Sequence, residues 1–424
     1  LMFVKRAPLT TKKGVVKKNA PALLTPAPQY RIVPDVRRIM SIKESCRLNI
    51  TSVAFGGAGV GRADGLVIFV PFTAAGDVAD VEIVERRKKF ARGRLLGILE
   101  PSPQRTEPLC RYFGRCGGCS YQHIAYRHQL NIKQAQVKEA FLKIGKVPEP
   151  PVEKVIASPC AYAYRGKAEL HTAKTRKGFH LGFMDTSGGR LVDIERCEIM
   201  EESINQQISE ARSQERFEQS GSDLTFWSNP QGRAGDAVVR TVKSREFLVP
   251  RSGFFQANLY LTDAMVDEVC RLAGLEKRAS ILDACCGSGL FSILLAQSAE
   301  RLTGVEIHEK SVQYARENAE RNWIQNAKFI CADIGDVLSG MAERQDAVDL
   351  ILLDPPRAGL DPKTLTAICK VKCPELIYVS CNPATQARDV KYLNECGYVL
   401  ASLQPLDMFS QTEHIETVGL LRRK

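Results

Sequence analysis

The stretch Ser280-Ile281-Leu282-Asp283-Ala284-Cys285-Cys286-Gly287-Ser288-Gly289 decides the fold. An apolar run that ends in Asp283 and breaks at a Gly turn reads as the first strand of a sheet leading into a helix. Glycine there lets the backbone approach a ligand closely at the carboxyl end of a strand. The rhythm continues outward. A helix over 261–273 precedes the stretch and another over 290–297 follows it. Next come a strand over 302–306, a helix over 309–322, and strands over 328–330, 350–353 and 376–379. Strands alternating with helices predict a doubly wound, largely parallel sheet.

The turn lacks the third glycine of a dinucleotide fingerprint, because Leu290 and Phe291 stand there. Glu306, 17 residues beyond Gly289, ends the next strand, where an acid accepts hydrogen bonds from both ribose hydroxyls. Asp333 and Asp354 close the third and fourth strands. Acids at successive strand ends suit S-adenosylmethionine better than a dinucleotide. That cofactor has no pyrophosphate, and its sulfonium and amine are cationic. The bland alternative is that these acids cap helices, a role shared with Ser, Thr and Asn.

Cys381 follows an apolar strand in Val379-Ser380-Cys381-Asn382-Pro383, on the rim that carries the acids. Most cysteines in sheets are inert packing. A methyltransferase needs a thiolate when its target is a pyrimidine C5, too poor a nucleophile to take a methyl group unaided. Thiolate addition at C6 turns C5 into an enolate-like carbon, and a base must then remove the C5 proton. In Glu413-His414-Ile415-Glu416-Thr417-Val418, Glu416 is the better candidate base and His414 its competitor. Asp354-Pro355-Pro356 is followed by Arg357 rather than the aromatic residue that enzymes acting on exocyclic nitrogens stack on a flipped base. A cytosine-C5 enzyme would add a second catalytic Cys beside a Pro-Cys element, and neither Pro159-Cys160 nor the context of Cys381 supplies that arrangement.

Upstream, the pattern over 41–101 is short and β-like: an alternating strand from Leu48, a Gly-rich turn at Gly56, Gly57, Gly59 and Gly61, and strands over 66–70, 78–84 and 92–99. Such spacing predicts a small closed barrel of the OB type. Its run Arg86-Arg87-Lys88-Lys89-Phe90-Ala91-Arg92 is either a phosphate-tracking face or a solvated turn. Residues 102–250 read as a mixed α+β region with a helix over 126–144, and 251–424 as the cofactor-binding domain. Residues 1–40 form a basic, Pro-rich segment, read as a disordered arm. The 424 residues carry a formal charge of +11, which favours a polyanion such as RNA as partner. No apolar run reaches 18 residues, which argues against a membrane-spanning helix. Fourteen cysteines without a secretory signal suggest a reducing cytoplasm, where they serve metals or catalysis rather than cross-links.

Cys110, Cys116 and Cys119 form C-x5-C-x2-C within a Gly-rich segment. Structural zinc prefers two close pairs. Three near cysteines plus a remote one suit a [4Fe–4S] cluster. Spacing alone leaves both open, with Cys197 or the nearer Cys160 as the remote ligand.

In combination, Ser380-Cys381-Asn382-Pro383, Asp354-Pro355-Pro356-Arg357 and His414-Ile415-Glu416-Thr417 resemble the RNA uracil-C5 methyltransferases of the TrmA/RumA type. The likeness covers nearly the whole chain from about residue 41. It implies a multidomain α/β protein: an N-terminal OB-like TRAM barrel, a central domain with an iron–sulfur motif and a Rossmann-like class I methyltransferase domain. It implies Cys381 as nucleophile and Glu416 as base. It also implies S-adenosylmethionine contacts at Gln256, Glu306, Asp333 and Asp354 and around Cys285 and Leu290, and a [4Fe–4S] cluster on Cys110, Cys116, Cys119 and Cys197. At two of these positions the chain departs from the family: an aromatic residue is usual where Cys285 stands, and Asn or Thr is frequent where Leu290 stands. Family members with both barrel and cluster act mainly on 23S rRNA, some archaeal ones on tRNA, so 23S rRNA is the expected substrate and tRNA the second. No obligate protein partner is implied. Outside the family, a non-catalytic RNA-binding module is the rival reading.

Overall fold

The computed structural model describes residues 45–176, 178–214, 223–228, 233–234, 236–274 and 276–424. The basic segment 1–40 lies outside the described residues.

Five strands close a barrel in the order β1-β2-β3-β5-β4: β1 (Ser45–Val53), β2 (Ala58–Ala63), β3 (Leu66–Pro71), β4 (Val78–Arg86) and β5 (Phe90–Glu100). Alternate residues Leu48, Ile50, Ile68, Val70, Val81 and Ala91 fill its interior. The Gly-rich stretch is only partly a turn, because Gly59 and Gly61 lie in β2. A Cβ on Gly59 would meet Thr73 Oγ1 at 2.0 Å and one on Gly61 would meet Leu48 Cγ at 2.5 Å. These glycines are there for space inside a narrow barrel, which composition alone does not reveal. The β4–β5 turn presents Arg86, Arg87, Lys88 and Lys89 to solvent.

Next comes helix α1 (Tyr126–Lys143), then an antiparallel sheet of β6 (Lys167–Thr175), β7 (Gly178–Met184), β8 (Leu191–Asp193) and β9 (Asp223–Trp227), in the order β8-β7-β6-β9. Helix α2 (Glu202–Ser213) covers it, burying Ile204 and Ile208 against Leu170 and Leu181. Strands β10 (Arg233–Ala234), β11 (Ala237–Val242) and β12 (Arg245–Pro250) form a small antiparallel sheet. Val238, Val242, Phe247 and Val249 of that sheet share one core with the residues after 260, across the boundary expected at 250.

The remaining elements alternate: α3 (Thr262–Ala273), β13 (Arg278–Ala284), α4 (Leu290–Leu295), β14 (Ala299–Glu306), α5 (Glu309–Arg321), β15 (Ala327–Cys331), α6 (Ile334–Arg344), β16 (Leu350–Leu353), α7 (Pro362–Val371), β17 (Glu375–Ser380), α8 (Pro383–Glu395), β18 (Tyr398–Leu406) and β19 (Glu416–Arg423). The strands form one sheet in the order β15-β14-β13-β16-β17-β19-β18, in which β19 runs antiparallel to both neighbours. Strand order reverses beside β13, so the crevice outside the carboxyl ends of β13, β14 and β16 is the natural ligand position. Helix α1 packs on this sheet's helices through Val137 and Phe141. Cys369 of α7 and Cys396 after α8 are bonded as a disulfide, with Cα atoms 5.7 Å apart, a cross-link where free thiols were expected. No helix among the described residues is long and apolar enough to cross a membrane.

Candidate active site

Parallel strands present their carboxyl ends on one rim, and four acids lie at or within two residues of those ends. Asp283 is fully buried at the end of β13, where Ser292 donates to its Oδ2 and its Oδ1 has no partner. Burial, aided by the charge of Glu306, pushes its pKa up to about 7 against the Ser292 hydrogen bonds. Asp354, just after β16, is also raised to about 7, by burial first and then by Asp283 and Glu306. Glu306 accepts from the Gly287 N–H (3.1 Å) and the His308 N–H (2.9 Å), so it is tied to the Gly turn. Asp333 does cap a helix: it is the N-cap of α6 and accepts from the Asp336 N–H (3.1 Å). All four acids act on one thiol. Burial, then Asp354, Glu306, Asp283 and Asp333 in that order, raise Cys285 to about 12. Cys285 itself holds a left-handed backbone (φ +65°) at the turn. Leu290 opens α4 with its side chain buried in the main core. Gln256 is buried between exposed Phe254 and the core, whereas Phe255 packs on Phe247 (ring centroids 6.5 Å).

Cys381 and Glu416 are 35 residues apart in sequence yet adjacent in register. β17 and β19 are antiparallel and their ladder ends with Ser380 opposite Thr417, so Cys381, one residue past β17, comes beside Glu416, the first residue of β19, whose charge acts on the thiol. Burial first, then Glu416 and Asp354, push the Cys381 thiol up to about 12, while the Arg357 guanidinium pulls it down. Glu416 is buried and held well above the usual carboxylate range by burial and by Asp354. His414 is neutral, its pKa lowered to about 4 by burial foremost, and its Nδ1 lies 3.3 Å from Arg357 Nη2. His414 therefore has little affinity for a proton, whereas Glu416 has a high one and acts as the stronger base once it is ionised.

The residues after Cys381 hold it in place. Asn382 is the N-cap of α8: its side chain accepts from the Ala384 N–H (3.1 Å) and donates to the Arg357 carbonyl (3.3 Å), and Pro383 opens the helix. The Thr385 hydroxyl donates to the same Arg357 carbonyl (3.2 Å), and Thr417 donates to the Ser380 carbonyl (3.0 Å). The quoted motif thus ties the Cys381 loop to the Arg357 loop and to β19.

In the central region, Cys110, Cys116 and Cys197 pack against one core, and each of the three acts on half-buried Cys119. Cys160 does not figure among those interactions. Backbone bonds fix the segment: the Gln122 side chain accepts from Cys110 N–H (3.0 Å), Met184 O from Gly117 N–H (2.9 Å) and Asn205 from Cys197 N–H (2.8 Å). Among the described residues, no three His, Cys, Asp or Glu side chains stand close enough to hold a metal ion as placed.

Comparison with known proteins now bears on this geometry. Residues 239–424 match the tRNA (uracil-5-)-methyltransferase family and 44–96 match the TRAM domain. An uncharacterized RNA methyltransferase of Gloeobacter violaceus is 31% identical, over 88% of this chain and 95% of its own length. One from Protochlamydia amoebophila is 30% identical, over 91% of this chain and 99% of its own. This chain belongs to the RNA (uracil-C5)-methyltransferase family. The crystal structure of Pyrococcus abyssi tRNA (uracil-54, C5)-methyltransferase with S-adenosyl-L-homocysteine superposes with a TM-score of 0.67 at 26% identity. It covers 89% of this chain and 100% of that one.

Asp283 stood out in the sequence only as one of four acids at successive strand ends, and the structure adds that it is buried with one oxygen unpartnered. A second feature gave no signal in the sequence. The loop over 407–415, which leads into Glu416, is clamped by α1 through a buried Lys133–Asp407 pair; a lone Lys in a helix gives no hint of that.

Proposed function

We propose that this methyltransferase forms 5-methyluridine in RNA by covalent addition of Cys381 to uracil. S-adenosylmethionine supplies the methyl group as a sulfonium cation. The residues present fit that cation: Asp283, with an open buried oxygen, Glu306 and Asp354 lie close at the strand ends, and among the described residues no Lys or Arg pairs with them. Gln256, Asp333, Cys285 and Leu290 complete the proposed cofactor contacts. Positive charge among these acids lowers the proton affinity of Cys381, Glu416 and Asp354 together, so the site ionises when it is filled. The Cys381 thiolate then adds to uracil C6, C5 takes the methyl group as the sulfonium S–CH3 bond breaks and the thioether S-adenosylhomocysteine departs, and Glu416 takes the C5 proton as the Cys–C6 bond breaks. The observation that carries the reading is the placement of Cys381 and Glu416 at the end of the β17–β19 ladder, close enough that the charges of Glu416 and Asp354 both act on the Cys381 thiol.

The four cysteines are proposed as ligands of a [4Fe–4S] cluster. The donor set supports this, four thiols in one neighbourhood with no acid or histidine among them. Methyl transfer needs no electrons, so the group would brace the central region. For the substrate, 23S rRNA remains the proposal, on the resemblance. tRNA is the second reading, favoured by the likeness to the P. abyssi enzyme over the full length of that chain. The target base must leave its stack to reach Cys381.

The test is an adduct assay with Cys381→Ala and Glu416→Gln. Cys381→Ala should bind RNA without turnover. Glu416→Gln should accumulate a protein–RNA conjugate stable to denaturation, since addition proceeds and proton removal fails. Turnover by Cys381→Ala would overturn the covalent route.

A further inference from the structure

Away from the acidic rim, a second cavity of ≈ 490 Å³ lies where the barrel meets the cysteine-rich segment, lined by Phe72, Leu95, Arg105, Phe113 and His123 among others. Its walls are aromatic. Phe72 and Phe113 meet edge to face (centroids 5.3 Å, 80°), and the Phe113 ring lies 5.5 Å from the His123 imidazole at 31°. His123 is 2% exposed, and its ring nitrogens make no well-aligned hydrogen bond, with the Thr73 backbone as a partial partner. Burial keeps the ring neutral, with a pKa lowered to about 4, so it retains one N–H donor and one lone pair. A buried polar ring so poorly satisfied is a cost of folding that calls for an explanation, and a bound group that reaches it would supply one.

The cavity is also braced. Phe72 sits at φ +64°, a conformation a bulky side chain rarely adopts, and its carbonyl accepts from Arg105 Nη2 (2.8 Å). Arg105 Nε binds Asp77 (2.8 Å), whose carboxylate also accepts from the Ala74 and Ser102 N–H groups (2.6 and 2.9 Å). Arg105 is therefore occupied with protein groups and leaves the recognition to the rings and to His123.

We propose that this cavity binds an unstacked nucleobase of the RNA substrate, distinct from the uracil that reaches Cys381. Flat aromatic walls with one neutral donor–acceptor ring fit a base, which offers a π-face and an edge of donors and acceptors. A phosphate would call for a free cation, and the one cation lining the cavity named here is paired with Asp77. The proposal rests on RNA being the substrate of the Cys381 site.

The test uses the full chain with RNA that the wild type methylates. The complex is irradiated at 254 nm, digested and mapped by mass spectrometry. RNA affinity and turnover are measured alongside for His123→Phe and Phe113→Leu. The expected result is a nucleotide cross-linked within 111–123 or at Phe72. Roughly 5- to 100-fold weaker RNA binding should follow from Phe113→Leu and roughly tenfold from His123→Phe, with kcat at saturating RNA unchanged. If the wild type binds and methylates RNA but neither cross-links here nor loses affinity in the variants, the pocket proposal is overturned alone. If the wild type acts on no RNA, both readings fall. A variant that misfolds is recognised by its melting curve, and the wild-type cross-link then decides.

Discussion

Lys133→Met tests how the central region holds the catalytic base. Lys133 and Asp407 are both wholly buried and form an ion pair, and Lys133 Nζ also donates to the Phe409 carbonyl (3.1 Å). The other Asp407 oxygen accepts from the Tyr126 and Ser410 hydroxyls (2.8 Å each), and Gln129 bonds the Gln411 side chain (2.9 Å). Methionine is close to lysine in volume but removes the charge and the hydrogen bond to the Phe409 carbonyl, so Asp407 is left buried without a cation. Breaking a buried pair in this way costs about 3–5 kcal/mol. For a cooperative unit the size of the seven-stranded domain, that is a fall in Tm of roughly 6–20 °C. Because the loop over 407–415 feeds directly into Glu416, turnover should fall more than RNA affinity. Lys133→Met with Asp407→Asn removes both charges and should recover a large part of the lost stability. The assay is a thermal melt paired with steady-state kinetics of the three variants. A single variant within about 2 °C of wild type with full kcat, or a double variant no better than the single, would refute the reasoning.

The Glu416→Gln conjugate should be absent from Glu416→Gln/Cys381→Ala, which a denaturing gel of protein with labelled RNA checks. Asp283 and Asp354 are raised from 3.8 to about 7. Between those values the folded chain binds more protons than the unfolded chain, so their contribution to stability falls as pH rises from about 4 to about 7. Cation binding offsets that loss, so the Tm increase given by S-adenosylmethionine should be larger at about pH 8 than at about pH 5.5; equal increases would contradict the role of the acids. Protein purified without oxygen should be brown and hold about four irons. Cys197→Ser should lose that iron while Cys160→Ser keeps it, and a colourless zinc protein would exclude the cluster.

The doubly wound sheet was legible because its strands are short apolar runs closed by acids and followed by a Gly turn, signals local to each segment. The barrel was legible except at β2, where Gly59 and Gly61 signal a turn but answer to Thr73 and Leu48 across the interior. Cys381 and Glu416 were each legible as chemistry. Their adjacency was not, because it depends on β19 entering the sheet antiparallel to β17. Asp333 shows the converse: the residue was found, and the structure gives it the capping duty that its type permits anywhere. Nor could local pattern reveal that β11 and β12 share the core of the later sheet, or that Cys369 and Cys396 are bonded, since both depend on how distant elements pack.

The central claim is uracil-C5 methylation of RNA by this chain. It is tested most directly by incubating anaerobically purified protein with labelled S-adenosylmethionine and separate pools of unmodified 23S rRNA and tRNA, followed by nucleoside analysis. The account predicts labelled 5-methyluridine, from 23S rRNA under its first reading of the substrate and from tRNA under its second. Label in any other nucleoside, or none from either pool with the protein folded and its cysteine site intact, would contradict it.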